Sequence, residues 1–398
     1  MVGSLYMKEI KKIIAFCKGD STQCSTWSNV PYFYLKNFEA QGLEIVRINT
    51  QVEDDNPISK NLMKIANALI RHTYRLFIKN STAMNTLERS RMYEIIESHR
   101  IYKAISKNTD AEIAFFFDFS HSLKNKGNMK VVLFCDWTIE YEIVSHQNRR
   151  PNYFEKMVIN RQRHHMEQAD CLITLFPNVY DELVNEFGSE KVFYLGNVIN
   201  SEIDSGTDSS SLLQMHYGSN RILMIGRKAY KSGFLQLAQA VKNYNAIRME
   251  KEHLYIDVIG MTDKETGIID NHITYYGYLN KNEKAQREMY YNLMKNAKLI
   301  CNTTENWVGA SSIIEAMYWR LPVIVNPTED IYKTFGHDIS FGKYVYKNEA
   351  KEILDALEWI SSLKEVEYCA VCTASYEAVK NFTWESYAAR TIELMKKL

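Results

Sequence analysis

Two cations, two hydroxyls and a carboxylate carry the clearest chemical signal in this 398-residue chain. Arg227 and Lys231 stand four apart in RILMIGRKAYKSG, just past an apolar run (Ile222 to Ile225) and Gly226, with Gly233 following. A planar guanidinium and a point-charge ammonium at that place can converge on a diphosphate. Further along, LICNTTENWVGASSIIEAMYWRLPVIVN carries Ser311, Ser312 and Glu315 between two apolar runs. Ile313, Ile314 and Met317 share one helical face, so this stretch reads strand, loop, helix, strand. An anion on the free amides of that helix's first turn, with a carboxylate beside it, suggests a nucleotide: phosphate on the helix, ribose hydroxyls on Glu315. Plainer accounts exist for each group alone. A solvated basic loop would explain the first, and a capping box, with Ser312 capping and Glu315 reaching back, would explain the second. Their occurrence together, each past a strand end, favours the ligand reading.

The blocks Gly226-Arg227-x-x-x-Lys231-x-Gly233, Leu254 to Gly260, Ile273 to Leu279, Tyr290 to Glu305, Ile314-Glu315-Ala316-Met317 and Leu321-Pro322-Val323-Ile324 follow in order over about 110 residues. In order and spacing they resemble the nucleotide-sugar half of the family 4 retaining glycosyltransferases, of group 1 type, which have the GT-B fold. That resemblance implies an α/β chain of two Rossmann-like domains facing a cleft. It places Arg227 and Lys231 on the donor diphosphate, Glu315 on the ribose with Ser311, Ser312 and Ile314 around it, and Glu305 on the sugar ring. Base recognition would run through backbone near Gly260 and Tyr278, and Gly19 would lie near the donor phosphates or the acceptor. The resemblance implies a UDP- or GDP-sugar donor as substrate, a glycan, lipid-linked or protein acceptor, no metal and no other cofactor.

Three positions depart from the family pattern. Glu305 and Glu315 have nine residues between them, two more than the family's paired-glutamate motif, and Trp307 holds the motif position. Cys135 stands where the family commonly has a histidine that contacts the sugar, leaving Asp136 and His121 as substitutes. Arg320 stands where relatives usually have glycine. These departures favour one alternative, a non-catalytic partner subunit; a sugar-nucleotide epimerase, which would need acid and base carboxylates on the donor sugar, is the other class left open.

The elements that must hold these residues follow from periodicity. Lys12 to Cys17 is the first buried strand, Pro31 to Ala40 a helix and Leu43 to Ile48 the second strand; the full dinucleotide glycine pattern is missing, so no NAD is inferred. Asp110 to Phe117 and Met129 to Cys135 are the next strands, each ending in a polar cluster (Asp118 to His121; Asp136-Trp137). Tyr153 to Gln168, Cys171 to Leu175, Asn178 to Phe187 and Val192 to Leu195 alternate helix and strand. Ser201 to Ser211 has linker composition. The expected domains are 1–205 and 212–382, with a last helix over 383–398 crossing back to the first.

Bulk properties set the remaining bounds. Lysine plus arginine equals aspartate plus glutamate at 48 each, so no net field draws the protein to nucleic acid. Seven cysteines without framework spacing indicate a reducing compartment, and Cys369 and Cys372 read as structural. Charges at Glu9, Lys11 and Lys12 interrupt what would be a signal peptide's apolar stretch, and no run reaches the length of a membrane span, so the expected location is the cytoplasm. Residues 60–79 read as a basic amphipathic helix able to lie on an anionic membrane surface.

Overall fold

The computed structural model describes residues 9–24, 26–51, 61, 64–66, 68, 69, 72, 88–121, 123, 126–199, 208–305 and 311–398. The chain divides into two compact units, Met1–Leu195 with Trp384–Leu398, and Gly196–Thr383.

The first unit holds a parallel sheet of six strands, β1 (Lys12–Cys17), β2 (Glu44–Asn49), β3 (Ile113–Phe116), β4 (Lys130–Cys135), β5 (Cys171–Thr174) and β6 (Val192–Tyr194). Its order is β2-β1-β3-β4-β5-β6. The central strands are apolar along both faces, as strands covered by helices on both sides must be. The described helices of this unit include α1 (Val30–Ala40), α2 (Arg91–Lys107), α3 (Tyr153–Gln168) and α4 (Pro177–Phe187). Tyr34, fully buried on α1, gathers Phe115, Phe134, Trp384 and Tyr387 around its ring at centroid distances of 5.0–5.4 Å, and its hydroxyl meets Thr391 Oγ1 at 2.6 Å. Three of these partners or their neighbours lie on the final helix, Trp384–Met395, which is why the end of the chain belongs to the first unit.

The second unit repeats the architecture with β7 (Arg221–Ile225), β8 (Tyr255–Ile259), β9 (Ile273–Gly277), β10 (Leu299–Asn302), β11 (Val323–Val325) and β12 (Gly342–Tyr344), ordered β12-β11-β10-β7-β8-β9 and again parallel. Its helices include α5 (Ser209–Gly218), α6 (Lys231–Asn245), α7 (Lys284–Asn296) and α8 (Ser311–Tyr318).

Boundaries differ from expectation where capping chemistry decides them. Of the linker read at Ser201 to Ser211, Ser209 to Ser211 are helical, because Asp208 caps α5 through the amides of Ser210 and Ser211; 201–207 lie outside the described residues. Helix α6 begins at Lys231, with no side-chain cap before it. Within 60–79 the described positions 61, 64–66, 68, 69 and 72 are helical, and the others lie outside the described residues. Among the described residues no helix is long and apolar enough to cross a membrane.

Candidate functional site

In a doubly wound sheet a ligand crevice opens at the carboxyl ends of two neighbouring strands whose connections leave in opposite directions. The second unit has that point between β7 and β10: the chain proceeds from β7 outward through β8 and β9, then returns to the other side of β7 with β10. Arg227 follows β7 directly, and Lys231 is the first residue of α6. Glu305, Ser311, Ser312 and Glu315 all follow β10.

Glycines let these loops touch. Gly260 has φ +98°, which favours glycine, and a Cβ there would stand 2.7 Å from the carbonyl oxygen of Gly226. A Cβ on Gly233 would stand 2.5 Å from Thr304 Oγ1 and 2.8 Å from its amide nitrogen. The first turn of α6, with Lys231, is therefore packed against the loop that carries Glu305. Arg227 is exposed with its guanidinium 5.4 Å from the ring of exposed Tyr278. Among the described residues neither Arg227 nor Lys231 has a carboxylate partner, so two positive charges stand uncompensated at this crevice.

Glu315 is buried, and it is not the arm of a capping box. Lys281 Nζ donates to both of its oxygens at 2.7 Å, and the Tyr290 hydroxyl donates to Oε2 at 2.9 Å. Ser311 is already the first helical residue, so Ser312 lies inside the helix rather than at its cap. Burial, then the Glu315 charge, raises the Tyr290 hydroxyl well above its ordinary pKa and keeps it protonated as a donor. Neither Lys281 nor Tyr290 is signalled by sequence spacing; both reach Glu315 from the β9–α7 connection and α7. Ile314 is fully buried in the hydrophobic core, where its side chain packs, so a part for it at the site would fall to its backbone. Asn302, buried at the end of β10, has an amide Nδ2 with no hydrogen-bond partner among the described residues. Trp307 lies outside the described residues.

The departure at Arg320 has a backbone cause. The amide of Leu321 bonds the Ala316 carbonyl and that of Arg320 bonds the Met317 carbonyl, the paired bonds of a Schellman motif with Arg320 at the left-handed position (φ +65°). Glycine suits such a site for conformational reasons, and Arg320 holds it with its guanidinium 4.3 Å from the Tyr376 ring.

The first unit has its switch point between β1 and β3. Gly19 follows β1 with φ +98°, and its amide donates to Asn49 Oδ1 at 3.0 Å. Asp136 follows β4; its Oδ1 accepts from the Trp137 amide at 3.0 Å and from Cys135 Sγ at 3.3 Å, and burial pushes its carboxyl pKa up. It caps no helix, since Thr138 Oγ1 takes that place at Tyr141. His121 is buried between two carboxylates, Nδ1 at 3.0 Å from Asp118 and Nε2 at 3.2 Å from Glu97. Burial alone would lower its pKa, but the two anions outweigh it and carry the imidazolium up to about 10. Burial would likewise raise Asp118, and His121 with Lys18 holds it well below the usual carboxylate range. Glu97, on α2, was not singled out by the sequence. Cys369 and Cys372 are free thiols, the second in the core and raised to about 12 by burial, which fits a structural role.

No protein-family model matches the chain, and no curated protein sequence matches it. Solved structures do. Sucrose-phosphate synthase from Thermosynechococcus elongatus is similar with a TM-score of 0.63 at 14% identity, covering 97% of this chain and 98% of that one. A glycosyltransferase from Rickettsia africae is similar with a TM-score of 0.63 at 15% identity, covering 98% and 99%. HepE from Anabaena, solved in complex with UDP-glucose, is similar with a TM-score of 0.57 at 11% identity, covering 97% and 100%. Two parallel six-stranded sheets, each with its own switch point, and a likeness to these glycosyltransferases along almost the whole chain show that this protein has the GT-B fold.

Proposed function

We propose that the chain is a retaining glycosyltransferase that moves a sugar from a nucleoside-diphosphate sugar, such as a UDP- or GDP-sugar, to an acceptor hydroxyl in glycan assembly. The observation that carries this reading is the uncompensated pair Arg227 and Lys231 at the second unit's switch point. As the bond from the anomeric carbon to the diphosphate breaks, negative charge grows on the departing oxygens. Cations fixed there in advance stabilise that charge more than they stabilise the bound donor, which is what lowers a barrier. Arginine holds two oxygens through its fork and lysine a third as a point charge. The amides at Ser311 and Ser312, in the first described turn of α8, would add donors.

Glu315 offers about four lone-pair directions, of which Lys281 and Tyr290 take three, leaving one on Oε1 for a ribose hydroxyl. Glu305, exposed after β10, and Asp136, after β4, are the candidates for sugar hydroxyls. Gly260 and Tyr278 would border the place of the base, and Gly19 follows β1 at the first unit's switch point. The new bond forms between the acceptor oxygen and the anomeric carbon, and the acceptor's proton passes to the leaving phosphate oxygen, so the scheme has no separate base, metal or further cofactor. An odd number of cysteines without framework spacing supports a cytoplasmic setting. Peripheral contact with an anionic membrane through 60–79, where Ile65 and Leu69 are exposed, would bring the protein to a lipid-linked acceptor.

A thermal-shift panel of UDP, GDP, ADP and CDP tests the donor site. A diphosphate present at about 100 times its Kd adds about 2.7 kcal/mol to the stability of the folded protein. Lys231→Ala should abolish that shift and most turnover. Turnover near the native rate in Lys231→Ala would overturn the assigned site, and silence from all four nucleotides would overturn the donor class.

A further inference from the structure

Two histidines meet at the amino ends of β8 and β9, the opposite end of the second sheet from Arg227 and Lys231. His253 stands two residues before β8 and His272 directly before β9, the edge strand. The Ile256 amide donates to the His272 carbonyl at 2.7 Å, which fixes the register of the two strand starts.

The outer nitrogen of each ring is committed as a donor. His253 Nε2 lies 3.2 Å from the Arg248 carbonyl oxygen, which can only accept. His272 Nδ1 lies 3.0 Å from Asp270 Oδ1. The His272 amide, donating to that same oxygen at 2.8 Å, outweighs burial and holds the Asp270 carboxyl below its ordinary pKa, so it too is an acceptor only. A neutral imidazole has one ring proton, and in both rings it is spent outward. The inner nitrogens, His253 Nδ1 and His272 Nε2, therefore turn lone pairs toward each other at 3.1 Å. Two lone pairs so placed repel unless a positive centre is shared between them, and that centre is a proton or a metal ion.

The surroundings favour the metal. Two nitrogens each 2.0–2.1 Å from a tetrahedral zinc ion stand roughly 3.3 Å apart, so a small tilt of the rings suffices. A carboxylate behind one ring and a backbone carbonyl behind the other fix tautomer and orientation, as the outer partners of metal-bound imidazoles do; a shared proton needs no such support on both sides. The His272 side chain is 31% exposed, which leaves a way in for an ion with its water. Among the described residues no cluster of three or more histidine, cysteine or carboxylate groups could hold a metal, so the remaining positions on the ion belong to water.

We propose that His253 Nδ1 and His272 Nε2 together bind one divalent transition-metal ion of the kind that suits imidazole, Zn²⁺, Ni²⁺ or Cu²⁺, as a clip across the starts of β8 and β9. The inference rests on these residues alone and stands apart from the proposed transfer reaction and its donor site.

The test is calorimetric titration of Ni²⁺ into the full chain at neutral pH. The native chain should show a site that is missing from His272→Gln and from His253→Gln, the second serving if the first does not fold. Asp270→Asn keeps an acceptor oxygen but removes the charge behind the ring, and should weaken that site about ten- to a hundred-fold. In NMR spectra of the native chain the ring signals of both histidines should broaden together as paramagnetic Ni²⁺ is added. Equal Ni²⁺ binding by the native chain and either folded histidine variant overturns the inference, as does undiminished affinity in Asp270→Asn. Ring signals that move with pH but are untouched by Ni²⁺ would show that the pair holds a proton only, and overturn it equally.

Discussion

Replacing Lys281 by methionine should destabilise the second unit and loosen its hold on a nucleotide, because that lysine is the main partner of a buried carboxylate. Glu315 is 4% exposed and receives the same ammonium at 2.7 Å on both oxygens. Removing one member of a fully buried pair costs about 3–5 kcal/mol, most of it the penalty of the abandoned charge. Here the Lys281 side chain is 24% exposed, so water can reach the vacated place, and the Tyr290 hydroxyl remains at 2.9 Å. An expectation of about 2 kcal/mol follows. A body of about 150–250 residues moves its melting temperature about 2–4 °C per kcal/mol, so the transition should fall by roughly 4–8 °C. Calorimetry on the Lys281→Met chain reads this, taking as the second unit's transition the one that a bound nucleoside diphosphate raises. Tyr290→Phe removes one hydrogen bond to the carboxylate and should cost about half as much. In both variants the carboxylate is no longer held toward a ribose, and the nucleotide-induced shift should shrink. A melt within a degree of the native one, with an undiminished nucleotide shift, would refute the view that Lys281 positions Glu315.

Three further outcomes follow from particular groups. His121 has a folded pKa of about 10 against about 6.5 unfolded, so its contribution to stability is complete below about pH 6.5 and is lost as pH rises through about 10. The stability difference between the native chain and His121→Gln, measured by urea unfolding, should therefore shrink across that window, and a constant difference would show that the imidazolium is not held. Arg320→Gly relieves a left-handed backbone conformation but loses a cation–π contact of about 0.5–1 kcal/mol, so it should be neutral to stabilising by up to about 1 kcal/mol in a melt. Gly260→Ala sets a methyl 2.7 Å from a backbone oxygen at a positive φ, and should cost about 2–4 kcal/mol and weaken nucleotide binding.

Much of this protein was legible before folding because its strands are buried on both faces. Such strands read as short, continuous apolar runs, and their carboxyl ends mark where loops must carry polar chemistry. That is how Arg227, Lys231, Glu305 and Asp136 could be placed at strand ends from spacing alone. The left-handed position at Arg320 and the backbone approach at Gly260 were marked only as a departure and a glycine; the dihedral and the 2.7 Å contact that explain them belong to the folded chain. The linker read over Ser201 to Ser211 runs three residues into α5, because Asp208 caps that helix.

What tertiary structure alone decided is which side chains converge across long separations. Ser-Ser-x-x-Glu is compatible with a local cap, and only the arrival of Lys281 and Tyr290, from 34 and 25 residues away, shows that Glu315 is turned elsewhere. A cavity at the carboxyl ends of β1, β3 and β4 in the first unit is assembled from Lys18, Glu97, Asp118, His121 and His165, which share no motif because three strand ends and two helices each contribute to it. Periodicity reports what a residue does within its own element. Pairing charges between elements is a property of the packed sheet and helices, and no local pattern encodes it.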